Sequence, residues 1–107
     1  MKTSLIIYTN NSEKYIERLL KSILEQIDET EQELIIVDDL SMDNTVPIIV
    51  STIGLNFTDE EHYKFYINSK PKGKRKSIEM AKKIAQGDFK FIINKRKRAK
   101  IWYNWQV

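Results

Sequence analysis

Four short apolar runs stand out along the chain: Leu5-Ile6-Ile7-Tyr8, Leu34-Ile35-Ile36-Val37, Tyr63-Lys64-Phe65-Tyr66-Ile67 and Phe89-Lys90-Phe91-Ile92-Ile93. Each is short and rich in β-branched or aromatic side chains, the pattern of a strand. Between them lie stretches of helical period. Tyr15, Ile16, Leu19, Leu20, Ile23, Leu24 and Ile27 recur every three to four residues, with Glu13, Lys14, Glu17, Arg18, Lys21 and Glu25 on the opposite face and Asn11 or Ser12 available as N-cap. A second helix is expected after an Asp43 or Asn44 cap, with Pro47 in its first turn, ending near Gly54. A third is expected over residues 74–86, stopped by Gly87 as a left-handed C-cap. Strand and helix alternate throughout, which predicts an α/β fold with a parallel sheet and right-handed crossovers.

The second strand ends in the most informative stretch: Leu34-Ile35-Ile36-Val37 runs into Asp38-Asp39-Leu40-Ser41-Met42-Asp43-Asn44-Thr45. Ligands of a parallel α/β sheet sit beyond the carboxyl ends of its strands, so two carboxylates there are placed for binding rather than for the core. At 107 residues the chain suits one domain, with 41% hydrophobic residues. No apolar run approaches the roughly 20 residues of a membrane span. Residues 5–8 are too short for a secretion-signal core, and the chain has no cysteine for disulfide, thiolate metal site or thiol catalysis, so the expected location is cytoplasmic. The net charge of +3 is unevenly spread: residues 70–100 carry +11 and the remainder −8. A basic half of this kind suggests a phosphate or polyanion partner, although Lys82, Lys83 and Lys90 read more simply as a solvated face.

These residues resemble the family-2 glycosyltransferases, whose nucleotide-sugar-binding domain has the A-type fold. The family opening, V-S-V-I-I-P-x-Y-N-x-x-x-Y-L, is matched by Ser4 to Ile16 with Asn11 and Tyr15 in place, while Tyr8 and Asn10 stand where the family has Pro and Tyr. The block E-x-I-V-V-D-D-x-S-x-D-x-T is matched by Glu33, Asp38, Asp39, Ser41, Asp43 and Thr45. A third block resembles N-x-G-K-x-x-A-x-N followed by A-x-G-D-Y, here Gly73-Lys74-Arg75-Lys76-Ser77-Ile78-Glu79 and Ala85-Gln86-Gly87-Asp88-Phe89, with Glu79 where the family has Asn.

The resemblance covers about residues 3–93, the front half of a family catalytic domain. It implies a three-layer α/β/α, Rossmann-like nucleotide-binding half, strand order 3-2-1-4, with a nucleotide or nucleotide-sugar over the first two strands. The implied nucleotide-binding residues are Thr9, Asn11, Asp38, Asp39 and Lys74. Asp39 would accept the imide N–H of uracil, Thr9 would meet the nucleoside, and Lys74 would add a cation and free backbone N–H groups near a diphosphate. Asp38 is either part of this set or a structural cap.

One departure bears on chemistry. After the fourth strand the family carries D-x-D, which holds Mn or Mg against the diphosphate of a UDP-sugar, whereas this chain reads Asn94-Lys95-Arg96. The expectation is therefore a glycosyltransferase-like domain over residues 1–94 without its metal site, acceptor half or transfer activity, followed by a basic and aromatic tail over 95–107. A reading-frame change or truncation would produce that junction. Such a domain would bind a nucleotide without a committed cofactor. The exposed fourth strand, covered by Ile101, Trp102, Tyr103, Trp105 and Val107, would favour a homo-oligomer. The alternative is a non-enzymatic anion- or nucleic-acid-binding module using residues 70–100; nucleic acid and membrane surface rank below a nucleotide as partners.

Overall fold

The computed structural model describes residues 3–28, 30–54 and 62–93. Its elements are β1 (Thr3–Thr9), α1 (Ile16–Gln26), β2 (Gln32–Asp38), α2 (Thr45–Gly54), β3 (Tyr63–Ile67), α3 (Lys74–Ile84) and β4 (Phe89–Ile92). The strands form one parallel sheet in the order β3-β2-β1-β4. The two central strands are buried on both faces and therefore read as continuous apolar runs. Strands β3 and β4 are the edges; Phe89 at the start of β4 is 56% exposed. Residues 94–107, which include the tail expected to cover β4, lie outside the described residues.

Alternation along the strands divides the core in two. Leu5, Ile7, Leu34, Ile36 and Tyr63 face α1 and α2, whereas Ile6, Ile35 and Val37 face α3. The two faces are held differently. Helix α1 buries Ile16, Leu19, Leu20 and Ile23, each contributing about 1.5–3 kcal/mol of apolar burial. Helix α3 buries only Ser77, Ile78 and Ala81, so polar contacts at its two ends carry more of its attachment.

At the amino-terminal edge of the sheet those contacts converge on Glu33, which is fully buried. Its carboxylate accepts hydrogen bonds from the Ser4 hydroxyl, the Gln86 backbone N–H and the Lys64 ammonium, the last at 2.9 Å. Burial alone would raise the pKa of Glu33, but these donors outweigh it and hold the pKa below the usual range. The Gly87 N–H in turn donates to the Ser4 hydroxyl oxygen at 2.8 Å. Together these bonds tie the α3–β4 connection to the first residues of the two central strands.

Two expected helix ends are corrected. Helix α1 begins at Ile16, and neither Asn11 nor Ser12 caps it with a side chain; the Ser12 carbonyl instead accepts the N–H groups of Tyr15 and Ile16, while its hydroxyl oxygen accepts from Asn10 N–H and the Tyr15 hydroxyl. Helix α3 ends at Ile84 with Ala85 extended, and Gly87 is not in the left-handed region. Gly87 is needed for space: a Cβ there would lie 2.6 Å from the Ser4 nitrogen and the Thr3 carbonyl carbon. Pro47 does lie in the first turn of α2, and the Asp43 side chain accepts the Thr45 N–H at 2.9 Å, so the expected second helix holds.

Gly87→Ala should therefore destabilise the fold by roughly 1–3 kcal/mol, because the obstruction is backbone that cannot turn aside. Gly54→Ala, with nothing among the described residues within 4 Å of the new methyl group, should be neutral or slightly stabilising. Urea denaturation of both variants measures the difference.

Candidate functional site

Beyond the carboxyl ends of the central strands the ladder continues for one step. Asp39 N–H donates to the Thr9 carbonyl and Asn68 N–H to the Asp38 carbonyl, both at 2.9 Å. The ends of β1, β2 and β3 are thus level, and consecutive side chains point to opposite faces. Thr9 and Asp38 fall on the face of α1 and α2, and Tyr8, Asp39 and Asn68 on the face of α3. The two neighbouring aspartates are parted by this alternation and do different work.

Asp38 is fully buried and organises the loops on its side. Its Oδ1 accepts from the Thr9 hydroxyl at 2.7 Å and the Ser41 hydroxyl at 2.6 Å, and its Oδ2 accepts the Ser41 N–H at 2.8 Å. These contacts fix the reversal after β2, where Leu40 adopts φ 54, an uncommon conformation for a branched residue. The alternating polar residues that follow then lock the β1–α1 loop. Ser41 Oγ accepts from Asn11 N–H at 2.9 Å, Thr45 Oγ1 from Ser12 N–H at 2.7 Å, and Asp43 Oδ2 from Glu13 N–H at 3.2 Å. Asn11 sits at φ 50 and accepts the Met42 N–H at 2.8 Å. The Ser-x-Asp-x-Thr spacing presents one acceptor per alternate residue to a single facing loop.

Asp39 is 4% exposed and has four donors. Asn68 Nδ2 and Lys72 N–H reach Oδ1 at 2.9 and 2.8 Å, while the Tyr8 hydroxyl and Gly73 N–H reach Oδ2 at 2.9 Å each. Burial would raise its pKa, but the bonds from Asn68, Lys72, Tyr8 and Gly73 prevail and lower it to about 2. Tyr8 moves the other way. Burial, its bond to Asp39 and the Asp39 charge push the phenol up to about 12, so it stays protonated as a donor. Asn68 also donates to Ser77 Oγ at 2.9 Å, joining the end of β3 to the first turns of α3. Gly73 has φ 88, the reason for glycine at a position where a side chain would meet nothing among the described residues.

Thr9, Asp38 and Asp39 are therefore brought together at one edge, with Asn11 linked to them through Ser41. Lys74 opens α3 directly after Gly73 and is exposed, as are Lys70, Lys72, Arg75 and Lys76. Sequence reasoning missed Tyr8, Asn68 and Ser77. Asn68 carried a usable signal, a polar residue ending a predicted strand, the same signal that picked out Asp38 and Asp39. Among the described residues no group of three His, Asp or Glu side chains is arranged to hold a metal ion, and no helix is long and apolar enough to cross a membrane.

The Glycosyl transferase family 2 profile matches residues 4–95. The chain belongs to this family. The poly(ribitol-phosphate) β-N-acetylglucosaminyltransferase TarS of Staphylococcus aureus is 37% identical over 98 residues, which cover 88% of this chain and 16% of TarS. The crystal structure of S. aureus TarS residues 1–349 with UDP superposes with a TM-score of 0.74 at 34% identity, over 89% of this chain and 27% of that one. The mannosyltransferase PcManGT of Pyrobaculum calidifontis, solved with GDP-Man and Mn2+, reaches a TM-score of 0.74 at 22% identity, over 85% of this chain and 26% of that one, and shows the fold alone. The family-2 chain described here thus spans only a minor share of the length of these relatives, and the expected sheet order of the A-type fold is the observed one.

Acid should test the Asp39 cluster. A carboxylate at about 2 in the fold against 3.8 when free contributes stability that is complete above the free value and is lost as pH falls from there through the folded value. Asp39→Asn turns an amide NH2 toward donors and should cost roughly 1–3 kcal/mol at pH 7. Its unfolding midpoint in urea should fall less steeply than that of the wild type over this acid range.

Proposed function

We propose that this chain forms the nucleotide-sugar-binding half of a family-2 glycosyltransferase and takes a uridine diphosphate sugar at the carboxyl edge of β1 and β2. The convergence of Thr9, Asp38 and Asp39 with the Lys72-Gly73-Lys74 turn carries this reading. It brings the ends of the first two strands beside five exposed cations within residues 70–76, the charge a diphosphate needs. The TarS fragment, at 31–34% identity, has been solved with UDP and with UDP-GlcNAc, which favours uridine over other bases. Asn11 enters the site as a brace for its rim, and Asp38 as the residue that shapes the loop carrying Asp39.

The metal of the family does not fit the residues at its position. Asn94-Lys95-Arg96 offers an amide, an ammonium and a guanidinium, and the two cations have no lone pair to give. The lysine-rich turn supplies the positive charge instead. Residues 1–94 act as the binding unit, and 95–107 as a segment beyond the family blocks.

Titration of the 15N-labelled chain with UDP tests this. The expected result is shifts at Thr9, Asp39, Lys72 and Gly73 that survive a rise from 50 to 200 mM salt with no more than about a tenfold loss of affinity, a drop that six to ten phosphate contacts to nucleic acid would greatly exceed. Shifts confined to basic residues, with an oligonucleotide binding better than UDP and collapsing with salt, would favour the anion-binding alternative.

A further inference from the structure

We infer that the Tyr8 phenol oxygen reads the base in this chain, accepting the imide N–H of a uracil-type ring, and that Asp39 is the positioning residue that aims it. This rests on the uridine reading proposed above and names the group that gives it specificity. The family pattern has Pro at this position, and proline has no side-chain polar group to offer; Tyr8 brings a hydroxyl against Asp39.

The argument is one of hydrogen-bond capacity. A carboxylate has about four acceptor sites, and Asn68, Lys72, Tyr8 and Gly73 fill four on Asp39. An imide donating directly to Asp39 must displace one of them, and three of the four anchor the β3–α3 turn. The Tyr8 oxygen is in the opposite condition. Its single proton is committed to Asp39, no donor among the described residues reaches it, and the side chain is only partly buried. Toward a ligand it therefore presents lone pairs alone.

An acceptor fixed in this way selects its partner. The N3–H of uracil donates to it, whereas N3 of cytosine is itself an acceptor and meets lone pair with lone pair. Pairing through N3 of cytosine would require Tyr8 to turn its proton outward, which would leave Asp39 short of a donor. The structure thus predicts a preference for UDP over CDP of about tenfold, the order expected for one mismatched hydrogen bond. The diphosphates are identical, so the comparison isolates the base.

Calorimetric titration of the full chain with UDP and CDP, for the wild type and Tyr8→Phe, is the test. The wild type should prefer UDP, and Tyr8→Phe should still bind both with the preference largely gone. In the wild type labelled with 13C at the tyrosine ζ carbons, the Tyr8 resonance should move with UDP and much less with CDP; this reading does not depend on how well the variant folds. Retention of the full preference in Tyr8→Phe, or tighter UDP binding by it, would overturn the inference while leaving the nucleotide site standing. If the wild type binds neither nucleotide, the site proposal itself fails and the role of Tyr8 falls with it.

Discussion

Glu33, near the start of β2, and Asp39, just past its end, stand six residues apart on one face of the strand, and each holds one end of α3. Glu33 receives Gln86 N–H where the chain leaves the helix; Asp39 receives Lys72 and Gly73 N–H where it enters. A helix that buries so little apolar surface needs these anchors, and ionised carboxylates make strong ones because hydrogen bonds to a charge are about twice as strong as neutral ones. Both carboxyl groups are stabilised in the charged form. The position of α3, and with it the turn that brings cations to the site, depends on this pair.

The anchors also explain the division of labour between the adjacent aspartates. Pleating sends Asp38 toward α1 and α2 and Asp39 toward α3. The first is spent on shaping the loop after β2, and the second on closing the turn before α3. The family block of alternating Ser, Asp and Thr is largely a device for joining two loops, since Ser41, Asp43 and Thr45 each take one N–H from residues 11–13. Most polar groups at this edge of the sheet thus hold one another in place.

Much of this was legible in the sequence. The four strands and three helices follow from apolar runs and helical periods, and the parallel order follows from the family blocks. Gly87 was misread because a glycine after a helical stretch suggests a left-handed cap, while its actual constraint is contact with Ser4, which lies 83 residues away in sequence. The start of α1 was misread because Asn11 and Ser12 look like caps; their side chains are taken by neighbouring loop and turn groups instead. That Asp38 and Asp39 face opposite ways was within reach of strand alternation. The saturation of Asp39 was not, because it depends on Lys72 and Gly73 folding back over β2, which no local pattern encodes.

Amide hydrogen exchange followed by NMR tests the anchoring of α3 most directly, because the amides of Lys72, Gly73, Gln86 and Gly87 report its two ends separately. The account predicts protection at all four in the wild type. Asp39→Asn should release Lys72 and Gly73 first, and Glu33→Gln should release Gln86 and Gly87 first. Exchange at Lys72 and Gly73 in the wild type as fast as in an unstructured peptide would contradict the account.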